Sequence, residues 1–393
     1  MDDRTRFLHA CHASDAHRSS SLPIHQTSTF AQPDPDHFGA YDYARSGNPT
    51  RAAVESAIAA LEGAECGLAF ASGMAAISSA LLLLASGDHV VVSRDVYGGT
   101  YRVLTTLLAR WGLAASFVDM GDPDAVRAAI TPRTRALFVE TPSNPLLRIT
   151  DLAALVSIAR ERGLLSLVDN TFMTPQLQRP IAFGFDVVLH SATKFLGGHS
   201  DLVAGLAVTR TAELGRQLKR IQVSLGAILG PQDSWLLLRG MKTLQVRLDA
   251  QQRTAAALAE RLGSLPGVRR VHYPGLASHA GHALHARQAA GPGAVLSFEL
   301  DGEPLAKEFL RRLTLPILAV SLGGVESIVS YPATMSHAAM PREERERRGI
   351  SGALVRLSVG LESEADLYAD IARALEAAVA LSGTEEGRRG ASG

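Results

Sequence analysis

The sequence predicts an α/β protein whose mainly parallel, seven-stranded sheet is covered by helices on both faces. Short apolar runs recur along the first two thirds of the 393 residues, and segments of helical periodicity separate them. Parallel strands buried on both faces have this appearance. The chain is also longer than one ordinary domain. Beyond Pro266 and Gly267 the strand and helix pattern changes, which predicts a second, smaller α/β domain.

The N-terminal residues show little periodicity and many His, Ser and Pro, so they predict an extended arm that lies on a larger body. Asn48, Pro49 and Thr50 then form a turn that caps a first helix. We expect the arm at residues 1–45, a large domain at 46–246 and a small domain at 247–393. Strands of the large domain are predicted at residues 67–71, 89–93, 115–118, 136–140, 164–168, 187–189 and 203–208.

Helical periodicity fills the segments between these strands, and a long helical stretch connects the two domains. That stretch covers residues 232–262 and is interrupted near Gly240. A Gly-rich and charged tail, residues 384–393, is predicted to be disordered. The other predicted helices are 75–84, 97–111, 124–130, 151–162, 305–313 and one that ends near 381, with small-domain strands at 271–273, 294–300, 317–320 and 355–359.

Composition excludes several functional classes. The 39 basic and 39 acidic residues cancel, so no global field favours nucleic acid or an anionic membrane. Two cysteines provide neither a disulfide framework nor a metal cluster, and His279, His282 and His285 lack companion ligands, so no metal is expected. No apolar run approaches the roughly 20 residues of a membrane span. The charged N-terminus is not typical of a secretory signal, and a cytoplasmic protein is expected.

Residues 186–201 contain the most informative pattern in the chain. A short apolar run ends at Ser191 and Thr193, and Lys194 follows directly before two glycines. A lysine whose pKa is lowered attacks carbonyl groups, and it commonly forms a Schiff base with pyridoxal phosphate. Taken alone, the pattern more often describes an exposed lysine at the end of a strand.

Other strand ends provide what a bound pyridoxal phosphate needs. Ser72, Gly73 and Met74 open a helix whose N–H groups suit a phosphate, and Ser191 and Thr193 add hydroxyl groups. Asp169 ends an apolar strand and suits a protonated ring nitrogen. Tyr97, on a Gly-rich loop, suits stacking on the ring. Each residue also has a structural alternative, a turn cap for Asp169 and a helix-start aromatic for Tyr97.

The chain resembles the Cys/Met-metabolism pyridoxal-phosphate enzymes, the group of cystathionine γ-lyase, cystathionine γ-synthase and methionine γ-lyase, which have the fold of type I pyridoxal-phosphate-dependent transferases. The resemblance covers residues 22–381. Its motifs are Tyr-Ala-Arg-Ser-Gly-Asn-Pro-Thr (43–50), Ala-Ser-Gly-Met (71–74), Asp-Val-Tyr-Gly-Gly-Thr (95–100), Glu-Thr-Pro-Ser-Asn-Pro (140–145), Val-Asp-Asn-Thr-Phe (168–172), Ser-Ala-Thr-Lys (191–194), Gly-His-Ser-Asp (198–201), Ser-Leu-Gly-Gly-Val-Glu-Ser (321–327) and Arg-Leu-Ser-Val-Gly-Leu-Glu (356–362).

The resemblance implies a role for each matching residue. Lys194 would carry the cofactor and move protons, and Tyr97 would stack on the ring and help to activate the substrate. Asp169 would pair with the ring nitrogen, and Asn144 would lie near the phenolic oxygen. The implied phosphate contacts are Gly73, Met74, Ser191 and Thr193, with Tyr43 and Arg45 from a neighbouring subunit of a homotetramer built from dimers that share active sites.

The resemblance also implies a substrate site for a sulfur-containing amino acid. Arg356, with Ser321 near it, would bind the α-carboxylate, because a planar guanidinium suits a bidentate contact; from the sequence alone Arg356 is a surface strand residue. Asp42 and Arg102 resemble positions that meet the polar end of cystathionine. Val320 stands where cystathionine enzymes typically have a glutamate and methionine γ-lyases a valine.

These features predict a carbon–sulfur lyase that acts by γ-elimination on cystathionine or a methionine-like amino acid and forms a 2-oxo acid, ammonia and a thiol. The alternative is cystathionine γ-synthase, which replaces the acyl group of an O-acylated homoserine by cysteine. β-Elimination is a third branch of the same chemistry. A non-catalytic protein that keeps the fold is disfavoured, because Lys194 and Asp169 are both present.

Overall fold

The computed structural model describes residues 2–12, 15–338 and 340–390. Within them the chain forms two compact units. The first comprises Met1–Arg94, Gly99–Glu140 and Asp151–Gln245, and the second comprises Asp95–Gly98, Thr141–Thr150 and Val246–Gly393. Two short segments of the N-terminal half, which contain Tyr97 and Asn144, therefore belong to the same unit as the C-terminal part of the chain.

The first unit contains a seven-stranded sheet in the order β1-β7-β6-β5-β4-β2-β3. Only β7 runs against its neighbours, so the sheet is mainly parallel, as predicted. Every residue of β2 and β7 is buried, because both faces of the sheet are covered. The strands are β1 Cys66–Phe70, β2 His89–Ser93, β3 Ala114–Val118, β4 Thr134–Glu140, β5 Leu165–Asp169, β6 Val187–Ser191 and β7 Gly205–Thr209.

Local capping sets the bounds of the helices. The Asn48 side chain accepts hydrogen bonds from the N–H groups of Thr50 and Arg51, and Gly63 ends that helix in the left-handed conformation. The helices are α1 Asp3–Ala10, α2 Pro49–Glu62, α3 Gly73–Leu81, α4 Gly98–Arg102, α5 Pro123–Ala129, α6 Leu152–Arg162, α7 Thr174–Leu177, α8 Pro180–Phe183, α9 Ala212–Leu225, α10 Pro231–Met241 and α11 Leu244–Leu262, with a π-helical turn at Val103–Leu107 and a 3₁₀ turn at Leu108–Trp111.

The second unit contains a five-stranded sheet in the order β10-β11-β12-β9-β8. Its core joins strand and helix side chains, as in the edge-to-face contact of Phe298 and Phe309, whose ring centroids are 5.8 Å apart. The elements are β8 Val268–His272, α12 His282–Gln288, β9 Val295–Leu300, α13 Glu303–Arg312, β10 Ile317–Leu318, β11 Ile328–Ser330, α14 Arg342–Arg347, β12 Leu354–Ser358 and α15 Glu364–Gly390.

Two predictions for the chain ends differ from the structure. The N-terminal segment is not extended throughout, because residues 3–10 form α1, which buries Phe7 against the first unit. The tail predicted to be disordered from residue 384 continues α15 as far as residue 390, and its last three residues lie outside the described part. Among the described residues, no helix is both long enough and apolar enough to cross a membrane.

Candidate active site

The parallel register of β5 and β6 places their carboxyl ends side by side, since Asp169 pairs with Leu189. The Asp169 carboxylate is 7 % exposed, and its Oδ1 accepts hydrogen bonds from the N–H of Thr171 at 3.0 Å and from Thr171 Oγ1 at 2.5 Å. Thr171 Oγ1 in turn accepts from the Ser191 N–H at 2.8 Å. Because that contact takes a lone pair, the Thr171 hydroxyl proton is directed to Asp169.

Burial is the main influence on the protonation of Asp169. It raises the pKa of the carboxyl group, whereas the two hydrogen bonds from Thr171 and the electrostatic influence of His190 lower it. A buried carboxylate of this kind is stable when a cation binds it. The strand end therefore suits a protonated ring nitrogen.

Lys194 lies one turn beyond the end of β6 and is half-buried. Its N–H donates to the Ser191 carbonyl at 3.2 Å, and its own carbonyl accepts from the Gly198 N–H at 2.8 Å. Thr193 Oγ1 donates to the Ala204 carbonyl at 3.2 Å and accepts from the Ala204 N–H at 3.0 Å. The loop is thus fixed to the start of β7, which holds the lysine near the strand ends.

The N-terminus of α3 packs directly against the end of β6. A Cβ atom on Gly73 would lie 2.8 Å from Ser191 Cβ, so only glycine permits this approach. Ser72 Oγ caps the helix by accepting from the Ala75 N–H at 3.0 Å. The N–H groups of Gly73 and Met74 have no acceptor within the helix. Together with the Ser191 hydroxyl they form a site suited to a phosphate.

In the second unit, Arg356 holds a buried guanidinium that is 3 % exposed. Its Nη1 donates to Asn144 Oδ1 at 2.8 Å and its Nη2 donates to the Ser321 carbonyl at 2.6 Å. Ser321 adopts a φ of 91°, a strained conformation for a residue with a side chain. The alternative reading of Arg356 as a surface strand residue is wrong. The structure thus brings together three predicted residues, Arg356, Asn144 and Ser321. Val320, which precedes Ser321 in the chain, is 66 % exposed.

The remaining predicted residues are exposed. Tyr97 of the second unit is 39 % exposed. In the first unit, Arg45 donates from Nη1 to the Val223 carbonyl at 3.0 Å, and its guanidinium lies 5.6 Å from the centroid of the Tyr43 ring. Asp42 accepts from the Tyr43 N–H at 2.6 Å, and Arg102 lies at the end of α4.

Sequence reasoning assigned no role to several polar residues around the candidate site. Thr171 lies in the motif Val-Asp-Asn-Thr-Phe (168–172). Its position two residues after Asp169 is the sequence signal that identifies it as a hydrogen-bond partner of the carboxylate. His337, in the second unit, is buried, and burial together with the positive charge of Arg356 lowers its pKa to about 4. Glu62 and His190 form a buried contact behind the strand ends, and no pattern in the sequence links them.

These residues fit pyridoxal phosphate. The buried acid, the half-buried lysine and the helix N-terminus meet at one edge of one sheet, and each matches one part of the cofactor. A family described as Cys/Met metabolism PLP-dependent enzyme matches residues 4–376. The chain belongs to this family. Membership confirms pyridoxal phosphate as the cofactor and identifies the protein as an enzyme.

Individual relatives agree with this assignment. The cystathionine beta-lyase MetC of Bacillus subtilis (strain 168) is 58% identical over 356 residues, which are 91% of each chain. The cystathionine gamma-lyase of the same organism is 49% identical over 96% of this chain and 100% of its own length. A crystal structure of cystathionine gamma synthase from Xanthomonas oryzae pv. oryzae in complex with cystathionine has a TM-score of 0.94 at 44% identity, with 97% of this chain and 99% of that chain covered. This likeness confirms the fold of type I pyridoxal-phosphate enzymes.

Proposed function

We propose that this enzyme cleaves a carbon–sulfur bond of cystathionine, or of a methionine-like amino acid, by γ-elimination. The products are a 2-oxo acid, ammonia and a thiol. The observation that carries the proposal is the 49% identity with a cystathionine gamma-lyase over 96% of this chain. The intact Lys194, Asp169 and Arg356 supply the chemistry that such a reaction needs.

The side chains at the strand ends bind and orient the cofactor in this proposal. Pyridoxal phosphate, when bound, withdraws electrons from the carbon atom that loses a proton. Lys194 Nζ would hold the cofactor covalently, and its free amine would move protons between the substrate carbons. Asp169 binds the ring nitrogen. The groups proposed for the phosphate are the N–H groups of Gly73 and Met74 and the hydroxyls of Ser191 and Thr193.

The second unit contributes the proposed substrate contacts. Arg356 binds the α-carboxylate, and its two contacts to Asn144 Oδ1 and the Ser321 carbonyl orient the guanidinium. By the family resemblance, Asn144 would also lie near the phenolic oxygen of the cofactor, and Tyr97 would stack on its ring and assist in activating the substrate. Val320 presents an exposed apolar side chain, which suits a thiomethyl or similar group. Asp42 and Arg102 are proposed contacts for the polar end of cystathionine.

β-Elimination of cystathionine is a second candidate, because the relative at 58% identity is named a β-lyase. Cystathionine γ-synthase is a third, since the structure from Xanthomonas oryzae pv. oryzae has that name. The three reactions share the loss of the α-proton and differ in the bond to the leaving group that breaks: Cγ–S in γ-elimination, Cβ–S in β-elimination and Cγ–O in the synthase reaction. Their products differ as well, and they provide the test.

The test is product analysis with purified enzyme in three incubations: cystathionine, methionine, and an O-acylated homoserine with cysteine. We expect 2-oxobutanoate and cysteine from cystathionine. Pyruvate and homocysteine instead would establish β-elimination. Cystathionine formed from the acylated homoserine, without a 2-oxo acid in any incubation, would overturn the lyase proposal in favour of the synthase.

The role of Lys194 has a spectroscopic test. The purified enzyme is expected to absorb near the edge of the visible range, and Lys194→Ala is expected to lose this band and all lyase activity. Arg239→Ala, on α10, serves as a control that leaves the band in place. Cofactor that borohydride reduction fixes covalently to Lys194→Ala would show that another amine carries the cofactor.

We also propose that the enzyme is a homotetramer built from dimers and acts in the cytoplasm. The homotetramer is supported by the exposure of Tyr43 and Arg45, which the family resemblance assigns to a neighbouring subunit's active site. Light scattering would measure the assembly, expected at four times the 41.7 kDa of one chain. Cell fractionation would test the location.

A further inference from the structure

Asp95 is a buried carboxylate two residues before Tyr97, and it forms an ion pair with Arg148. Asp95 is 5 % exposed. Its Oδ2 lies 3.1 Å from Nε of Arg148. Both residues belong to the second unit, in the segments 95–98 and 141–150. Neither residue is among those assigned above to the cofactor or the substrate.

Arg148 closes the short loop that carries Asn144. Its N–H donates to Ser143 Oγ at 3.2 Å, and its carbonyl accepts from the Ser143 N–H at 3.0 Å. Asn144 follows in the chain, and its Oδ1 accepts from Arg356 at 2.8 Å. The guanidinium of Arg148 also donates from Nη2 to the Arg348 carbonyl at 3.1 Å, and this contact helps to fix its orientation.

A further contact restricts the Tyr97 segment on the other side of Tyr97 in the sequence. A Cβ atom on Gly98 would lie 2.4 Å from the Ser336 carbonyl oxygen, so the backbone at Gly98 lies close against that carbonyl. Tyr97 is 39 % exposed, and burial of its ring alone therefore does not fix its position. The residues before and after Tyr97 provide the attachment.

The ion pair resists movement of this segment because one of its charges is removed from water. The Arg148 side chain is 41 % exposed, whereas the Asp95 carboxylate is buried and depends on the guanidinium more than an exposed carboxylate would. The segment before Tyr97 cannot move away from the loop of Asn144 without separating these charges. The pair therefore holds two active-site segments of the second unit together.

We propose that Asp95 and Arg148 are positioning residues that hold Tyr97 for stacking on the ring of pyridoxal phosphate. Through Arg148, the Tyr97 segment is tied to the loop whose Asn144 contacts Arg356. The residue that stacks on the ring and the residue that binds the substrate carboxylate thus keep a fixed relation. The inference rests on the role proposed above for Tyr97.

The test measures cofactor binding without substrate. Apoenzyme is titrated with pyridoxal phosphate, and the circular dichroism of the bound cofactor in the visible range gives both the Kd and the signal at saturation. Arg148→Gln removes the charge that holds Asp95. We expect the Kd to rise about three- to tenfold, the effect of losing one aromatic stacking contact, and the saturating signal to fall.

A double-mutant cycle determines whether the pair acts through Tyr97. In the Tyr97→Ala background, Arg148→Gln should change the Kd by less than about twofold, because no ring remains to be positioned. Asp95→Asn should have the same effect as Arg148→Gln, and the two substitutions combined should cost no more than either alone. If Arg148→Gln does not fold, the combined variant, which buries no uncompensated charge at this pair, carries the comparison.

Arg261→Gln is the matched control. Arg261 lies in the same unit, its side chain is 44 % exposed against 41 % for Arg148, and it also pairs with a carboxylate, that of Glu364. This pair joins α11 to α15. Its loss should leave the Kd for pyridoxal phosphate within about twofold of the parent value.

Two results would overturn the proposal. The same loss of affinity with and without the Tyr97 ring would show that the pair supports the fold only. An unchanged Kd in Arg148→Gln would show that the pair does not position Tyr97. The titrations contain no substrate, so their outcome is independent of the lyase proposal. If Tyr97→Ala alone leaves the Kd and the signal unchanged, the role proposed for Tyr97 is refuted, and the inference with it.

Discussion

At the scale of single residues, the sequence located the chemical groups but not the interactions that adjust them. Asp169 was predicted from its place at the end of an apolar strand, and the structure shows it buried and held by Thr171. Arg356 became a candidate only through resemblance, because its burial and its contact with Asn144 join residues 212 positions apart. Residue type predicts what a side chain can do, and the surroundings decide its ionisation.

Val320 provides a prediction at this scale. Val320→Glu adds a carboxylate at a side chain that is 66 % exposed, and we expect kcat/KM for cystathionine to rise about three- to tenfold relative to methionine. The reason is attraction to the distal ammonium group of cystathionine. Steady-state assays with both substrates measure the ratio. Val320→Gln is the matched uncharged control, and an equal ratio in both variants would refute this account of the position.

At the scale of elements, the hydrophobic pattern predicted strands and helices correctly where a segment shows one clear strand or helix pattern. The strand at His89–Ser93 and the helix at Leu152–Arg162 agree with the prediction, since one is a continuous apolar run and the other is capped by Asp151. Helix α9 was not predicted, and residues 97–111 form α4 followed by π-helical and 3₁₀ turns rather than one helix. The hydrogen-bond pattern of such short turns has little sequence signal.

The start of α3 gives a prediction for an element. Gly73→Ala places a methyl group 2.8 Å from Ser191 Cβ, so the helix must move away from β6. We expect the affinity for pyridoxal phosphate to fall about tenfold or more, and the free energy of unfolding to fall by about 1–3 kcal/mol, the usual cost of overpacking. Gly263→Ala, where nothing lies within 4 Å, is the control. Cofactor titration and thermal melting measure both effects; unchanged affinity would exclude this phosphate site.

Helix α15 is held to the loop after α13 through Asp370. Its carboxylate accepts from the N–H groups of Thr314 and Leu315, each at 2.9 Å, and from Thr314 Oγ1 at 2.6 Å. Burial raises the pKa of Asp370, but these hydrogen bonds and Arg373 lower it more, to about 2. A carboxyl group with a depressed folded-state pKa stabilises the fold above its unfolded value of 3.8, and the contribution is lost as the pH falls toward 2.

Asp370→Asn should therefore lower the free energy of unfolding near pH 7 by about 1–3 kcal/mol. The difference in the free energy of unfolding between the variant and the parent enzyme should narrow as the pH falls from about 4 toward 2. In that range Asp370 of the parent enzyme is protonated and loses the charge that the variant lacks. Thermal melting at stepwise pH values measures it. Asp301→Asn, at an exposed carboxylate paired with Arg269, is expected to change little. A difference that does not depend on pH would show that packing rather than charge is responsible.

At the scale of the whole molecule, the alternation of apolar runs and helical periods predicted the sheet of the first unit and the separate sheet of the second. It did not predict that residues 95–98 and 141–150 belong with the second unit. These segments follow β2 and β4 directly, and their local patterns do not distinguish the two units. Unit membership depends on packing between distant parts of the chain, such as the Ser297 hydroxyl bond to the Pro145 carbonyl at 2.7 Å.

Shared active sites lead to a prediction about the assembly. Lys194→Ala should be inactive, and the double variant Tyr43→Ala/Arg45→Ala should bind the cofactor phosphate weakly. In a hybrid dimer of these two chains one site has all its groups, so the hybrid should recover about half of the parent activity. Co-expression with two different affinity tags isolates the hybrid. If the hybrid is no more active than the mean of the two variant enzymes measured separately, the active sites are not shared between subunits.

The sequence alone determined the fold class, the family, the cofactor and the residue types that bind it, because these depend on local periodicity and on motifs of adjacent residues. Residues 186–201 supplied the central lysine in this way. Only the tertiary structure decided which buried groups lie around those residues. Glu62 contacts His190 across 128 positions of the chain, and a contact between such distant residues leaves no periodic signal.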